Sequence, residues 1–155
     1  MARIDNQILS ANLRINLSIT PDLTIQYWGQ PFVFAGNYSE FKRDAFTRAD
    51  YYYDRFHIFT DDEISFNEVN NEYSVTDGGS FYSFSNPDFK VFEFRSNLVI
   101  RWEYIPGSAA YLVWSQGRIG DDISGESEFG PDIDRLFSIE PHNVFLLKLT
   151  YRINI

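Results

Sequence analysis

Apolar and polar residues alternate with a period of two over long stretches of this chain. Leu9, Ala11, Leu13, Ile15, Leu17 and Ile19 alternate with Ser10, Asn12, Arg14, Asn16, Ser18 and Thr20. Successive strand side chains point to opposite faces, so this pattern predicts a two-faced β-strand over 7–20. Pro21-Asp22 ends it as a tight turn. Leu23, Ile25 and Tyr27 then oppose Thr24, Gln26 and Trp28, predicting a second strand over 22–34. The parity blurs at Gln30-Pro31-Phe32, where a bulge or the end of regular pairing is expected. Phe92, Phe94, Leu98, Ile100, Trp102 and Tyr104 oppose Glu93, Arg95, Asn97, Arg101 and Glu103 within a third strand, 90–105. Pro106-Gly107 is the next tight turn. A fourth strand, 109–118, has less distinct faces. The fifth, 143–155, sets Phe145, Leu147, Leu149, Tyr151, Ile153 and Ile155 against Leu146, Lys148, Thr150, Arg152 and Asn154.

Long loops, 36–88 and 119–142, alternate with the short turns. The first contains shorter strand-like pieces, among them 64–68 and 73–75 flanking an Asn70-Asn71 hairpin turn. Strands of this length exceed the ~5–6 residues usual in soluble sheets, and at ~3.3 Å per residue with ~45° tilt they cross a bilayer core. Short turns on one side and long loops on the other is the outer-membrane barrel pattern. An amphipathic last strand ending on an apolar residue fits the same pattern, because soluble termini usually fray into water. The expected fold is therefore all-β: a long-stranded antiparallel sheet forming the C-terminal section of an outer-membrane β-barrel. About eight strands are the minimum for a spanning barrel, so five strands are read as one part of a single barrel domain over 1–155. Met1-Ala2-Arg3-Ile4-Asp5 lacks the apolar core of an export signal. The chain is accordingly read as the C-terminal piece of a longer precursor, or a shortened form of one. Its expected partners are outer-membrane lipid, the upstream remainder of the barrel and the assembly machinery of that membrane.

Composition sharpens this picture. Aromatic residues make up 18% of the chain, and such residues favour strands and membrane-interface belts. Trp102, Tyr104 and Tyr151 fall near the turn-side strand ends, where a lipid-facing girdle belongs. The net charge of −9 is unevenly spread. Segments 40–90 and 118–140 carry eighteen of the 22 carboxylates, whereas the strands carry mostly cations. An acidic chain without a basic footprint is a poor nucleic-acid binder. Arg14, Glu93, Arg95, Arg101, Glu103, Lys148 and Arg152 alternate with apolar residues. A charge facing lipid near the midplane costs roughly 2–4 kcal/mol, so these seven are assigned to the barrel interior. They line it either as a structural ion-pair network or as a selectivity surface.

Little in the sequence points to chemistry. There is no cysteine, hence no thiolate nucleophile or Cys-based metal site. His57 and His142 fall in predicted loops, and no Gly-x-Ser-x-Gly elbow accompanies them. Asp61-Asp62-Glu63, Asp121-Asp122 and Asp132-x-Asp134 are hard-oxygen clusters without EF-hand spacing, and are read as solvated acidic loops. No catalytic, cofactor or metal residue is assigned, and a non-enzymatic role is expected.

Several motifs carry a resemblance. They include Thr20-Pro21-Asp22-Leu23-Thr24, Gln30-Pro31-Phe32, Gly36-Asn37-Tyr38, Asn86-Pro87-Asp88-Phe89, the stretch Arg95-Ser96-Asn97-Leu98-Val99-Ile100-Arg101-Trp102-Glu103-Tyr104-Ile105-Pro106-Gly107-Ser108, and Asn143-Val144-Phe145-Leu146-Leu147. Together they resemble the C-terminal barrel region of a Gram-negative outer-membrane family of unknown function. Full-length members often carry an N-terminal family-9 carbohydrate-binding-like domain. The resemblance implies an outer-membrane location and a surface role in glycan capture or solute uptake. It supplies no sugar-binding or catalytic residue. Two alternatives remain open at this point: a soluble antiparallel β-sheet binding module, and a component of a surface polysaccharide hydrolase with paired carboxylates in a cleft.

Overall fold

The computed structural model describes residues 1–153. Strand accounts for 63% of it and helix for 8%, with antiparallel sheets, so the all-β class holds. Chain order is β1 (Arg3–Ser10), β2 (Leu13–Thr20), β3 (Leu23–Ser39), β4 (Lys42–Asp44), a 3-10 turn (Tyr53–Arg55), β5 (Phe56–Ile58), β6 (Ile64–Asn67), β7 (Glu72–Asp77), β8 (Ser80–Ser85), β9 (Phe89–Ile105), β10 (Ser108–Asp122), α1 (Phe129–Ser138) and β11 (His142–Thr150). The main sheet has the order β1-β3-β9-β10-β11, with β2 also pairing β3. Among the described residues this path does not close: β2 and β11 lie at opposite edges.

The chain divides into two compact units. The first comprises Met1–Gln7, Ala35–Lys90 and Asp122–Glu126. Here the segment read as one long loop folds into two small sheets, β4-β5 and β6-β7-β8. The β6–β7 hairpin turns at Asn71, which adopts φ 52, a left-handed conformation that Asn tolerates. Phe41, Phe66, Tyr73 and Phe84 pack their rings together, with centroids 4.6 to 5.4 Å apart.

The second unit comprises Ile8–Phe34, Val91–Asp121 and the chain from Ser127. It holds the long strands and α1. Both short turns lie at one end of its sheet, because the Glu103 N–H donates to the Asp22 carbonyl (2.8 Å). Gly107 takes φ 82 in the β9–β10 turn, a conformation that favours glycine.

Strand limits differ from the alternation in several places. β3 passes through Pro31 to Ser39 instead of ending near 34. The break falls on its partner, between β1 and β2 at Ala11-Asn12, opposite Pro31. Proline has no N–H to give the ladder, and only its carbonyl is used, accepting from the Ala11 N–H at 3.2 Å. Ile19 is skipped between the pairs Ser18↔Thr24 and Thr20↔Leu23, so the first run ends in a bulge. β10 continues to Asp122 rather than to 118. β11 stops at Thr150, which pairs with Ala109, the second residue of β10, close to the β9–β10 turn. Asn154 and Ile155, read as part of that strand, lie outside the described residues.

The segment 119–142 is not all loop, since it contains the ten-residue α1. Phe129, Ile133, Leu136 and Phe137 recur at helical spacing, and Pro131 is compatible with a first turn. Asp132 is buried and accepts from the N–H of Glu128, the N-cap residue (2.8 Å), and from the Ser127 hydroxyl (2.6 Å). This is the acidic half of a capping arrangement. Leu136, fully buried, joins Val33, Phe92 and Phe94 in a core against which Leu9 and Ile139 also pack.

Candidate functional site

Residues paired across antiparallel strands share a face, so the registers assign the two faces of the second unit's sheet. Leu13, Ile15 and Leu17 pair with Gly29, Tyr27 and Ile25; Arg14, Asn16 and Ser18 pair with Trp28, Gln26 and Thr24. Across the sheet, Leu112 and Ala110 pair with Leu147 and Leu149, while Tyr111 and Ser115 pair with Lys148 and Val144. The Ser115 hydroxyl bonds Asn97, and Arg101 lies within electrostatic reach of Tyr111, which brings the odd-numbered residues of β9 onto the face of Lys148. Arg14, Asn16, Gln26 and Trp28 border a shallow depression with Asn97 and Val99. One face therefore collects Arg14, Glu93, Arg95, Arg101, Glu103 and Lys148. The other collects the apolar partners, including Leu98, Ile100, Trp102 and Tyr104.

The polar face is built from pairs. Arg95 bonds Glu93 (2.5 Å) and Arg101 bonds Glu103 (2.6 Å), each two residues along one strand. Glu103 also accepts from the Gly107 N–H at 2.9 Å, tying the turn to this network. The Lys148 ammonium stands 5.7 Å from the Tyr111 ring centroid, a cation–π contact. Tyr111 thus receives both Arg101 and Lys148. Arg14 lies opposite Trp28 with no acidic partner among the described residues. Arg152 lies past the end of β11; its backbone N–H donates to the Ser108 hydroxyl (3.0 Å). A groove of about 520 Å³ runs along the sheet past Trp28, Glu93, Arg95, Asn97, Ser115 and His142. The face is not wholly polar: Val144 and Leu146 also lie on it.

Of the girdle residues, Trp102 and Tyr104 touch each other on the apolar face (centroids 6.0 Å), and the Tyr104 hydroxyl donates to the Thr150 carbonyl (3.1 Å). Tyr151 is exposed beyond the last strand. Leu13, Ile15, Leu17, Trp102, Leu112, Phe145, Leu147 and Leu149 all expose much of their surface. A contiguous apolar patch of this kind marks a contact surface.

The histidines are strand residues rather than loop residues, His57 in β5 and His142 opening β11. In the first unit, Glu63 accepts from the Thr60 N–H (2.9 Å) and lies 2.9 Å from His57 Nε2. The Thr60 backbone bond first, and the His57 bond second, hold the Glu63 carboxyl below its usual range. Its charged form therefore favours the folded 60–63 turn above the unfolded-state pKa, and this contribution is lost as pH falls through the lower folded value. Glu63→Gln is expected to remove the acid-side change in hydrogen-exchange protection at the Thr60 amide. A variant retaining the wild-type pH profile would show that Glu63 does not control the turn. Among the described residues no three His, Asp or Glu side chains are grouped to hold a metal ion. Asp132 is engaged at the start of α1 instead.

Two residues at this sheet carry no signal in the sequence: Tyr111, whose strand has mixed faces, and Arg118, which falls on the apolar parity of β10. Comparison with known proteins finds no matching family model, curated protein or solved structure.

Proposed function

We propose that the chain is a section, C-terminal by resemblance, of a non-enzymatic outer-membrane β-barrel that takes part in glycan capture or solute uptake at the cell surface. The apolar face meets lipid and the polar face lines the interior. The observation that carries this reading is the segregation of the faces: six charged strand residues share one, while the other leaves large apolar side chains exposed. Water would penalise that apolar surface at roughly 25 cal/mol per Å², whereas lipid accepts it.

The edges support the same reading. Unpaired strand edges are not tolerated in lipid, so β2 and β11 require partners. β2 and β11 both run toward the end with the short turns. Antiparallel closure therefore takes an odd number of further strands between them. Inside, the pairs Glu93–Arg95 and Arg101–Glu103 neutralise one another, while Arg14 and Lys148 leave the wall cationic. That wall favours passage or retention of solutes with acidic or polar groups.

The test is fractionation of producing cells followed by protease treatment of intact cells. The protein is expected in the outer membrane, cut within 40–87 and 117–141 and protected at Pro106-Gly107. Recovery in the soluble fraction, or cleavage at Pro106-Gly107, would refute the location or invert the topology.

A further inference from the structure

The apolar face of the second unit's sheet changes character along its strands. From the short turns it runs exposed through Trp102 on β9, Leu112 on β10, and Leu149 and Leu147 on β11, with Leu98 half-buried among them. A polar row then crosses it. Gln116 pairs with Asn143 in register, and the Asn143 Oδ1 accepts from both Trp114 Nε1 (2.9 Å) and Gln116 Nε2 (3.1 Å). Beyond that row the same face is covered by α1. Leu136 is fully buried over Val33, Phe92 and Phe94, and the Phe137 ring lies 5.1 Å from that of Phe94.

Arg118, the next residue on this face of β10, explains how the helix is held. Its guanidinium donates to the carbonyls of Phe137 and Ile139 (2.5 Å each) and lies 5.7 Å from the Phe137 ring centroid. The last carbonyls of a helix lack intrahelical donors and carry partial negative charge. A cation there satisfies both, and it accounts for an arginine at an outward-facing position that hydrocarbon would penalise.

We infer that α1 is an interfacial helix resting at phospholipid headgroup level, and that the hydrocarbon layer ends at the Gln116–Asn143 row. This rests on the membrane reading above. From Ala109↔Thr150 to Gln116↔Asn143 the band spans eight residue pairs, or about 19 Å at ~3.3 Å rise and ~45° tilt. A barrel's apolar band is ~25 Å tall, so the band supplies most of that depth without α1. Phe129 and part of the Phe137 ring remain exposed on α1, along with Asp134 and Arg135. Aromatic rings next to charged groups are the composition of a membrane–water interface.

The absence of cysteine allows single labels. Leu147→Cys reports on the band and Ser138→Cys on α1, each carrying a nitroxide in membranes isolated from producing cells. Collision with oxygen, which partitions into hydrocarbon, is compared with collision with a water-soluble nickel complex. The Leu147 label should favour oxygen and lose nickel access. The Ser138 label should meet both, at an intermediate level, and Arg118→Met should shift it to the fully aqueous ratio without altering the Leu147 label. A Leu147 label open to nickel, or closed to both reagents because protein covers it, would overturn the membrane reading. A lipid-embedded Leu147 label with Ser138 fully aqueous, or equally deep, would overturn the inference alone. A Ser138 label indifferent to Arg118→Met would overturn the role given to Arg118.

Discussion

Leu147→Arg is expected to destabilise the folded protein in a bilayer by about 2–4 kcal/mol, the cost of a cation on the lipid face of a barrel near the midplane. Leu147 sits in the middle of β11, paired with Leu112 on the apolar face, and is 68% exposed. That exposure makes the substitution decisive. In water, a change at so open a site typically moves stability by no more than about 0.5 kcal/mol, and the added charge would improve solubility. In lipid, the same side chain must snorkel or draw water into the hydrocarbon. The measurement is a denaturant titration of the protein in lipid vesicles, with Lys148→Leu as the opposite-face control. Lys148 contacts Tyr111 on the polar side, so its loss removes a cation–π contact and creates no charge in lipid. A Leu147→Arg cost indistinguishable from zero would leave the soluble binding module as the better account of this sheet.

The alternation of apolar and polar residues was sufficient to read the long strands and their facing. Period two admits no other placement once Leu13, Leu98 or Leu147 is set on the apolar side, because a one-residue slip would invert every side chain. The shared face of Arg14, Arg101 and Lys148 could be read for the same reason: each lies between apolar neighbours in sequence. What escaped the pattern was contributed by partners distant in the chain. At Gln30-Pro31-Phe32 the alternation predicts a bulge or the end of regular pairing, yet that strand runs on to Ser39 and the break falls on the neighbouring one, at Ala11-Asn12. Thr150 ends β11 one residue short of the start of β10, beside the β9–β10 turn, although the alternation runs on. The segment 119–142 reads as one long loop, which hides α1. Its helical apolar spacing is only four residues deep, and its strongest support, Arg118 and the Phe92–Phe94 surface, lies elsewhere in the chain. Arg118 was passed over because it fell within a segment read as strand end and loop.

Leu136→Ala is expected to cost about 2–5 kcal/mol, the range for truncating a fully buried leucine where the surroundings close only partly. Leu136 is the one α1 residue that is fully buried among apolar neighbours, between the helix and Val33, Phe92 and Phe94. The loss should be local. β10 and β11 keep their register through nine backbone pairs that do not involve the helix, so hydrogen-exchange protection should fall along α1 and persist in those strands. Phe129→Ala, at the exposed first residue of the same helix, should move stability by no more than about 0.5 kcal/mol. Arg118→Met should weaken the same docking, because it deprives the Phe137 and Ile139 carbonyls of their donor. The two sites act on one helix, so their effects in a double variant should not add; couplings of about 0.5–3 kcal/mol are usual for residues sharing a contact network. Full additivity of Leu136→Ala and Arg118→Met, with α1 protection unchanged in either single variant, would mean that the helix is not held by this pair. If instead the β10–β11 amides lose protection together with those of α1, the helix is part of the sheet's cooperative core rather than an element docked upon it.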